Sequence, residues 1–151
     1  MASDGQNLYA ATSDAIFVQK NGVRSLDPTA GGGLTALRVA DGAKSWYVPP
    51  VACGSAPGCS PAQSSAVTAI PGVVFSGSMD GHLRAYSSED GKVLWDFNTV
   101  REFHAVNGVK ANGGALDGPG PVVVNGMVFV NSGYARFGGA PGNVLLAFEP
   151  Q

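Results

Sequence analysis

Apolar and polar residues alternate over short runs, and each run ends at a glycine-rich turn. Val73 to Ser76 is an apolar strand, and Met79-Asp80-Gly81 closes a hairpin in which glycine supplies the positive φ. His82 to Ser87 forms the next strand, with Leu83, Ala85 and Ser87 on one face and His82, Arg84 and Tyr86 on the other. Glu89-Asp90-Gly91 turns the chain again, and Lys92 to Phe97 is the outer strand. Ahead of these, Ala66 to Ile70 is a further strand, reversed at Pro71-Gly72. The matching pieces near the end are Pro121 to Val124 and the turn Asn125-Gly126. No stretch shows sustained helical periodicity.

The pattern repeats. Leu34, Ala36, Asp41-Gly42 and Trp46 recur 49 residues later as Leu83, Ala85, Asp90-Gly91 and Trp95, and Lys44 recurs one place out of register at Lys92. A third copy places Met127-Val128-Phe129-Val130 54 residues after Val73-Val74-Phe75-Ser76. Its next strand, Leu145-Leu146-Ala147-Phe148, follows Leu83 to Tyr86 by 62, so this copy carries an insertion of eight residues. A unit of four antiparallel strands in about 50 residues predicts an all-β chain of β-propeller blades. A β-sandwich also repeats short strands. A tryptophan repeated at one fixed place, Trp46 and Trp95, is better explained as a wedge between blades. The blade pieces run over about 5–48, 64–98 and 119–149. The first is entered midway and the last stops after its third strand.

Composition narrows the function classes. The chain has 22 glycines, 10 prolines and only 13% charged residues in 151, which excludes a coiled coil and a disordered segment. A net charge of -2 gives no reason to expect nucleic acid or an anionic membrane as partner. The longest apolar runs, such as Val122-Val123-Val124, fall far short of a membrane span, and residues 1–7 lack a basic-then-apolar leader pattern.

The pattern Ala-x4-Asp-Gly-x3-Trp, at Ala36 to Trp46 and Ala85 to Trp95, resembles the tryptophan-docking repeat of quinoprotein dehydrogenases. Four further stretches, CGSAPGCSP, GVVFSGSMDGHLRAY, VNGVKANGGALDGPG and NSGYARFGGAPGNVLLAF, look like the C-terminal part of polyvinyl alcohol dehydrogenase-type quinohaemoproteins. The resemblance implies about two and a half to three blades of an eight-bladed propeller that carries pyrroloquinoline quinone (PQQ), usually with Ca2+, and oxidises secondary alcohols. It implies a periplasmic or secreted parent that passes electrons to a cytochrome c. Haem c would need an upstream domain, because no C-x-x-C-H is present. The missing blades would come in cis or in trans, and the isolated chain is expected to be inactive. The same repeat also occurs in non-catalytic relatives, so a scaffold or sensor module is the alternative.

A propeller gathers its long loops on one face, here 13–32, 49–64, 98–119 and 131–142. The densest polar segment is Arg101 to Asp117. PQQ carries carboxylates and a flat ring, for which Arg101, Lys110 and Arg136 offer cations and Gly113-Gly114 a close backbone approach. Asn107 is a further candidate for cofactor binding, its amide oxygen open to Ca2+. Asn112 and Asp117 offer oxygens for Ca2+, and His104 or Asp117 a base for the alcohol proton. Tyr134 and Phe137 either cover the pocket or pack their loop. His82 reads as structural, and Asp80 as bonding amides of its own turn. Cys53 and Cys59, separated by five small residues, suit a disulfide, with a pair of free thiols as the alternative.

Overall fold

The computed structural model describes residues 1–54 and 58–150. The strands in chain order are β1 (Ala2–Ser3), β2 (Asn7–Ala11), β3 (Phe17–Lys20), β4 (Val23–Leu26), β5 (Leu34–Arg38), β6 (Lys44–Val48), β7 (Thr68–Ile70) and β8 (Val73–Gly77). They continue as β9 (His82–Ser87), β10 (Val93–Asn98), β11 (Glu102–His104), β12 (Lys110–Asn112), β13 (Val122–Val124), β14 (Met127–Ser132) and β15 (Val144–Phe148). Three antiparallel sheets follow one another along the chain, in the orders β1-β2-β5-β6, β7-β8-β9-β10 and β13-β14-β15. The first sheet is four-stranded because Ala2–Ser3 pairs with Leu8 and Tyr9, whereas the sequence pattern enters it midway. Two residues are too short to carry a period.

Two segments that read as loops contain hairpins, β3-β4 and β11-β12. Asn21 and Gly22 both take positive φ, at 52° and 78°, the pairing that a tight two-residue hairpin turn requires. Asn125 and Gly126 repeat it between β13 and β14, at 49° and 77°.

One aromatic ladder runs through all three sheets. Tyr9 pairs with Ala36, Phe75 with Ala85 and Phe129 with Ala147, and each alanine leaves room for the ring beside it. In the first two sheets the ladder continues to a tryptophan, Ala36 to Trp46 and Ala85 to Trp95. A bulge at Ser45 and at Leu94 shifts the register just before each tryptophan and re-aims it.

The cores lie between sheets. Tyr9, Leu34, Ala36 and Trp46 of the first sheet bury against Val67, Val74 and Tyr86 of the second unit. Leu83 of the second sheet buries with Leu116 and Val130, flanked by Trp95, Val128, Leu146 and Phe148. A third cluster, Leu26, Ala62, Met79 and Ala115, draws the long-loop ends of the units together. Strand β7 lies against both β1 and β13, so the first strands of the three units converge. That arrangement, with sheets packed face to face and first strands gathered on one side, is that of consecutive propeller blades.

Candidate functional site

The turn between β8 and β9 opens at the loop-rich end. Around it lies a cleft of about 500 Å³, lined in part by Met79, Asp80, His82, Arg84 and Asp96, with Cys53 and Cys59 opposite. Its floor is a closed polar circuit. Arg84 Nη2 donates to Asp80 Oδ2 at 2.8 Å, its Nε to Asp96 Oδ2 at 3.1 Å and its Nη1 to Ser78 Oγ at 2.9 Å. His82 Nδ1 lies 2.6 Å from Asp96 Oδ1, and the His82 backbone N–H donates to Asp80 Oδ1 at 2.8 Å. Ser78 Oγ also donates to Asp80 Oδ1. Strand register assembles this set, since Asp96 pairs with Arg84 and Asn98 with His82 across β9 and β10.

Arg84 and Asp80 are each only 8% exposed, so their charges survive burial through pairing. Burial by itself pulls the Arg84 pKa down, but the hydrogen bond and charge of Asp80, with Tyr86 and Asp96 adding, hold it above the usual value. Burial pushes the neighbouring Tyr86 phenol up. Asp80 thus bonds the amide of its own turn, as its sequence reading has it, and neutralises Arg84 as well. The sequence reading passes over Arg84 and Asp96. The signal that finds them is register: once β9 and β10 are paired, an arginine and an aspartate stand opposite.

The residues singled out in the polar segment are placed as follows. His104 and Lys110 pair across the exposed β11-β12 hairpin. Asn107 Oδ1 accepts the Val109 N–H at 3.1 Å inside the hairpin turn. The Arg101 guanidinium lies over Phe97 and Phe103, 4.4 and 5.1 Å from their centroids. Arg136, on the exposed 131–142 insertion, lies over Phe137 at 5.7 Å. The Asn112 side chain is exposed at the end of β12, while its N–H donates to Asn143 Oδ1 at 2.9 Å. Gly113 and Gly114 are buried against protein: a Cβ at Gly114 would lie 2.7 Å from the Pro141 carbonyl oxygen, and one at Gly113 3.1 Å from the Phe103 ring. Asp117 is half-buried, just before the bridge from Gly118 to Ser65. No hydrogen bond joins these side chains to one another among the described residues. Tyr134 is half-buried and Phe137 exposed.

Cys53 and Cys59 form a disulfide with Cα atoms 6.2 Å apart. The three small residues between them at 55–57 lie outside the described residues. The Cys53 N–H donates to the Pro28 carbonyl at 3.1 Å, which ties this loop to the first unit. Gly58 approaches the third, where a Cβ would lie 2.8 Å from the Gly138 carbonyl oxygen.

The PQQ_2 repeat family, described as outer membrane protein assembly factor BamB, matches residues 30–150. The chain belongs to this PQQ-like β-propeller family. It is 46% identical over 167 aligned positions to a polyvinylalcohol dehydrogenase of Pseudomonas sp, covering 99% of the chain and 24% of that protein. A polyvinylalcohol dehydrogenase of Sphingopyxis sp. (strain 113P3) is 36% identical over 162, covering 98% and 24%. The chain therefore spans about a quarter of the length of these curated relatives. Two quinohemoprotein alcohol dehydrogenases share the fold. One, from Comamonas testosteroni, has a TM-score of 0.58 at 22% identity over 95% of this chain and 21% of that one. The other, from Pseudomonas putida HK5, has a TM-score of 0.57 at 24% identity over 93% and 21%.

The buried guanidinium of Arg84 is already neutralised by Asp80 and Asp96, so it does not suit a quinone carboxylate. Arg101, Lys110 and Arg136 are cations on exposed faces of separate elements. Among the described residues, no three His, Cys, Asp or Glu side chains converge where a metal ion would sit. The two cysteines bond each other, which leaves no thiol for covalent haem. By itself, the chain does not fit a complete PQQ and Ca2+ site.

Proposed function

We propose that this chain forms the blades of one quarter of a PQQ-dependent alcohol dehydrogenase of the polyvinyl alcohol dehydrogenase type. The observation that carries this reading is 46% identity over an alignment that covers 99% of the chain, more than a shared fold alone requires. In the whole enzyme, a bound quinone would supply a hydride acceptor for a secondary alcohol, Ca2+ would polarise its oxygen, and the electrons would leave to a cytochrome c. His104 or Asp117 is the base proposed for the alcohol proton. The Asn107, Asn112 and Gly113-Gly114 contacts would act beside residues from other blades. The Cys53–Cys59 disulfide suits an oxidising compartment such as the periplasm. The isolated chain would not oxidise alcohols, because too little of the site is on it.

The test is a chimera in which this chain replaces the matching quarter of the Pseudomonas enzyme. With PQQ and Ca2+, dye-linked oxidation of polyvinyl alcohol is the expected result, and the 151-residue chain alone should give none. A folded chimera that binds PQQ without turnover, or that fails to bind it, overturns the reading. The assembly-factor description of the matched family favours a non-catalytic scaffold as the second reading, and that outcome would support it.

A further inference from the structure

We propose that copies of this chain bind head to tail, the outer face of the third sheet of one packing on the outer face of the first sheet of another. Strand register defines both faces. Each sheet carries its ladder pair, Tyr9 with Ala36, Phe75 with Ala85 and Phe129 with Ala147. One residue along, each carries a second apolar pair, Leu8 with Leu37, Val74 with Tyr86 and Val128 with Phe148. Successive residues of a strand point to opposite faces, so the two pairs lie on opposite sides of every sheet. Inside the chain, the ladder side of one sheet packs on the second pair of the next. Tyr9, Leu34 and Ala36 bury against Val74 and Tyr86, and Leu83 buries beside Val128 and Phe148. One chain therefore makes the same contact twice.

An unmatched half is left at each end of the stack. On the ladder side, Leu34 and Leu83 are fully buried, whereas their counterpart Leu145 is 63% exposed. Ala36 and Ala85 are buried and Ala147 is exposed. Phe129 is half-buried where Tyr9 and Phe75 are buried. On the opposite side, Val74 and Tyr86 are buried, but Leu8 and Leu37 of the first sheet are only half-buried. Tyr47, which pairs with Thr35 on that side, is 47% exposed. Both open faces are apolar, and they are the two halves of the contact that the chain already forms internally. Because the halves differ, a pair leaves one of each kind free, and assembly continues past two copies. The third sheet has no tryptophan, and it sets Asn131 opposite Leu145 where Ala11 and Gly77 stand opposite Leu34 and Leu83. The contact between copies is therefore weaker than the internal ones and reverses on dilution. Self-association of the 151-residue chain does not rest on the dehydrogenase reading, in which adjoining blades would hold the same two faces.

Sedimentation equilibrium of the full chain tests this. The average mass of the wild type should rise with concentration and pass that of two copies. Leu145→Asp removes the ladder face and Leu37→Asp the opposite one, and each variant alone should stay at the mass of one copy. Mixed in equal amounts, the two variants should form a pair and stop there, since each supplies its one intact face. Leu8→Asp takes the place of Leu37→Asp if the latter loses its strand signal in circular dichroism. A wild type that stays at the mass of one copy overturns the proposal. So does assembly that survives either substitution, or a mixture of folded variants that gives no pair.

Discussion

The first and second sheets meet through a docked tryptophan, and the second and third do not. Trp46 is 9% exposed, its Nε1 donates to the Ser88 carbonyl at 3.0 Å, and its ring stacks on Tyr9 with centroids 5.7 Å apart. Trp95 occupies the same place in the repeat but is only half-buried. It lies beside Phe97 and meets Phe148 edge-on at 5.0 Å, and its indole N–H has no partner among the described residues. The difference comes from the neighbour. Ser88 sits in the turn between the third and fourth strands of the second sheet, and the three-stranded third sheet presents no such turn. The repeat residue is therefore half of an interaction whose other half belongs to the next blade. A tryptophan at the right period shows where a blade wants a neighbour, not whether it has one.

Replacing each tryptophan is the sharpest way to break the comparison. Trp46→Ala removes a buried ring, its stacking on Tyr9 and the shorter of the two hydrogen bonds that the Ser88 carbonyl accepts, the other coming from the Tyr9 hydroxyl. Its expected cost is about 3–5 kcal/mol, typical of large aromatic-to-alanine changes in cores. Trp95→Ala removes a half-exposed ring and no hydrogen bond, so about 1–2 kcal/mol is expected. Urea unfolding followed by circular dichroism measures both. Equal costs would mean that the docking carbonyl contributes nothing.

The glycines of the two matching Asp-Gly turns give a controlled second contrast. Gly42 and Gly91 have nearly the same backbone, with φ of +71° and +74°. A Cβ on Gly91 would lie 2.8 Å from the Trp46 ring and 2.9 Å from Val48 Cγ2, whereas one on Gly42 meets nothing within 4 Å. The left-handed strain, about 1 kcal/mol, is common to both alanine variants. Gly91→Ala adds overpacking of about 1–3 kcal/mol. The difference in their urea midpoints isolates the tryptophan dock, and matching midpoints would remove it as the cause.

Much of this was legible in the residues, and the rest fails for definable reasons. His82 to Ser87 is found with its bounds because alternation and two glycine turns frame it. The β3-β4 hairpin is missed although Asn21-Gly22 signals it, because Phe17, Val18 and Val23 are exposed and Leu26 alone is buried among its described side chains, too little to mark a core face. The ladder partner Tyr9 is missed because Asn7 to Ala11 resembles Val73 to Gly77 in little beyond Leu8 for Val74 and Tyr9 for Phe75. Arg84 and Asp96 are missed because a polar pair inside a strand carries no local signature, and only the register brings it together. In this chain Arg101 to Asn112 spends most of its polar groups on an exposed hairpin, while the buried polar chemistry sits in a blade.

The same pair of turns also yields the smallest and most condition-dependent contrast. Asp90 is held down to about 2 by the Lys92 ammonium first, and then by backbone and side-chain donors of Lys92 and Ser87. Asp41 is lowered in the same direction, chiefly by Arg38 at 2.9 Å. A carboxyl depressed in the folded state stabilises fully above its unfolded value of 3.8 and loses that contribution as pH falls from there through the folded value. For Asp90 that window runs from 3.8 down to about 2. Both turns are solvent-exposed, so the effect is small and salt should screen it. Asp90→Asn should lower the urea midpoint slightly at pH 7, and the gap from wild type should close as pH approaches 2. Asp90 also adjoins Gly91, on which Trp46 rests, whereas Asp41 adjoins the open Gly42. Loss of the Asp90 charge should therefore shift Trp46 emission as well, and Asp41→Asn should not. A matching emission shift in both variants would mean that the turn charge does not reach the dock.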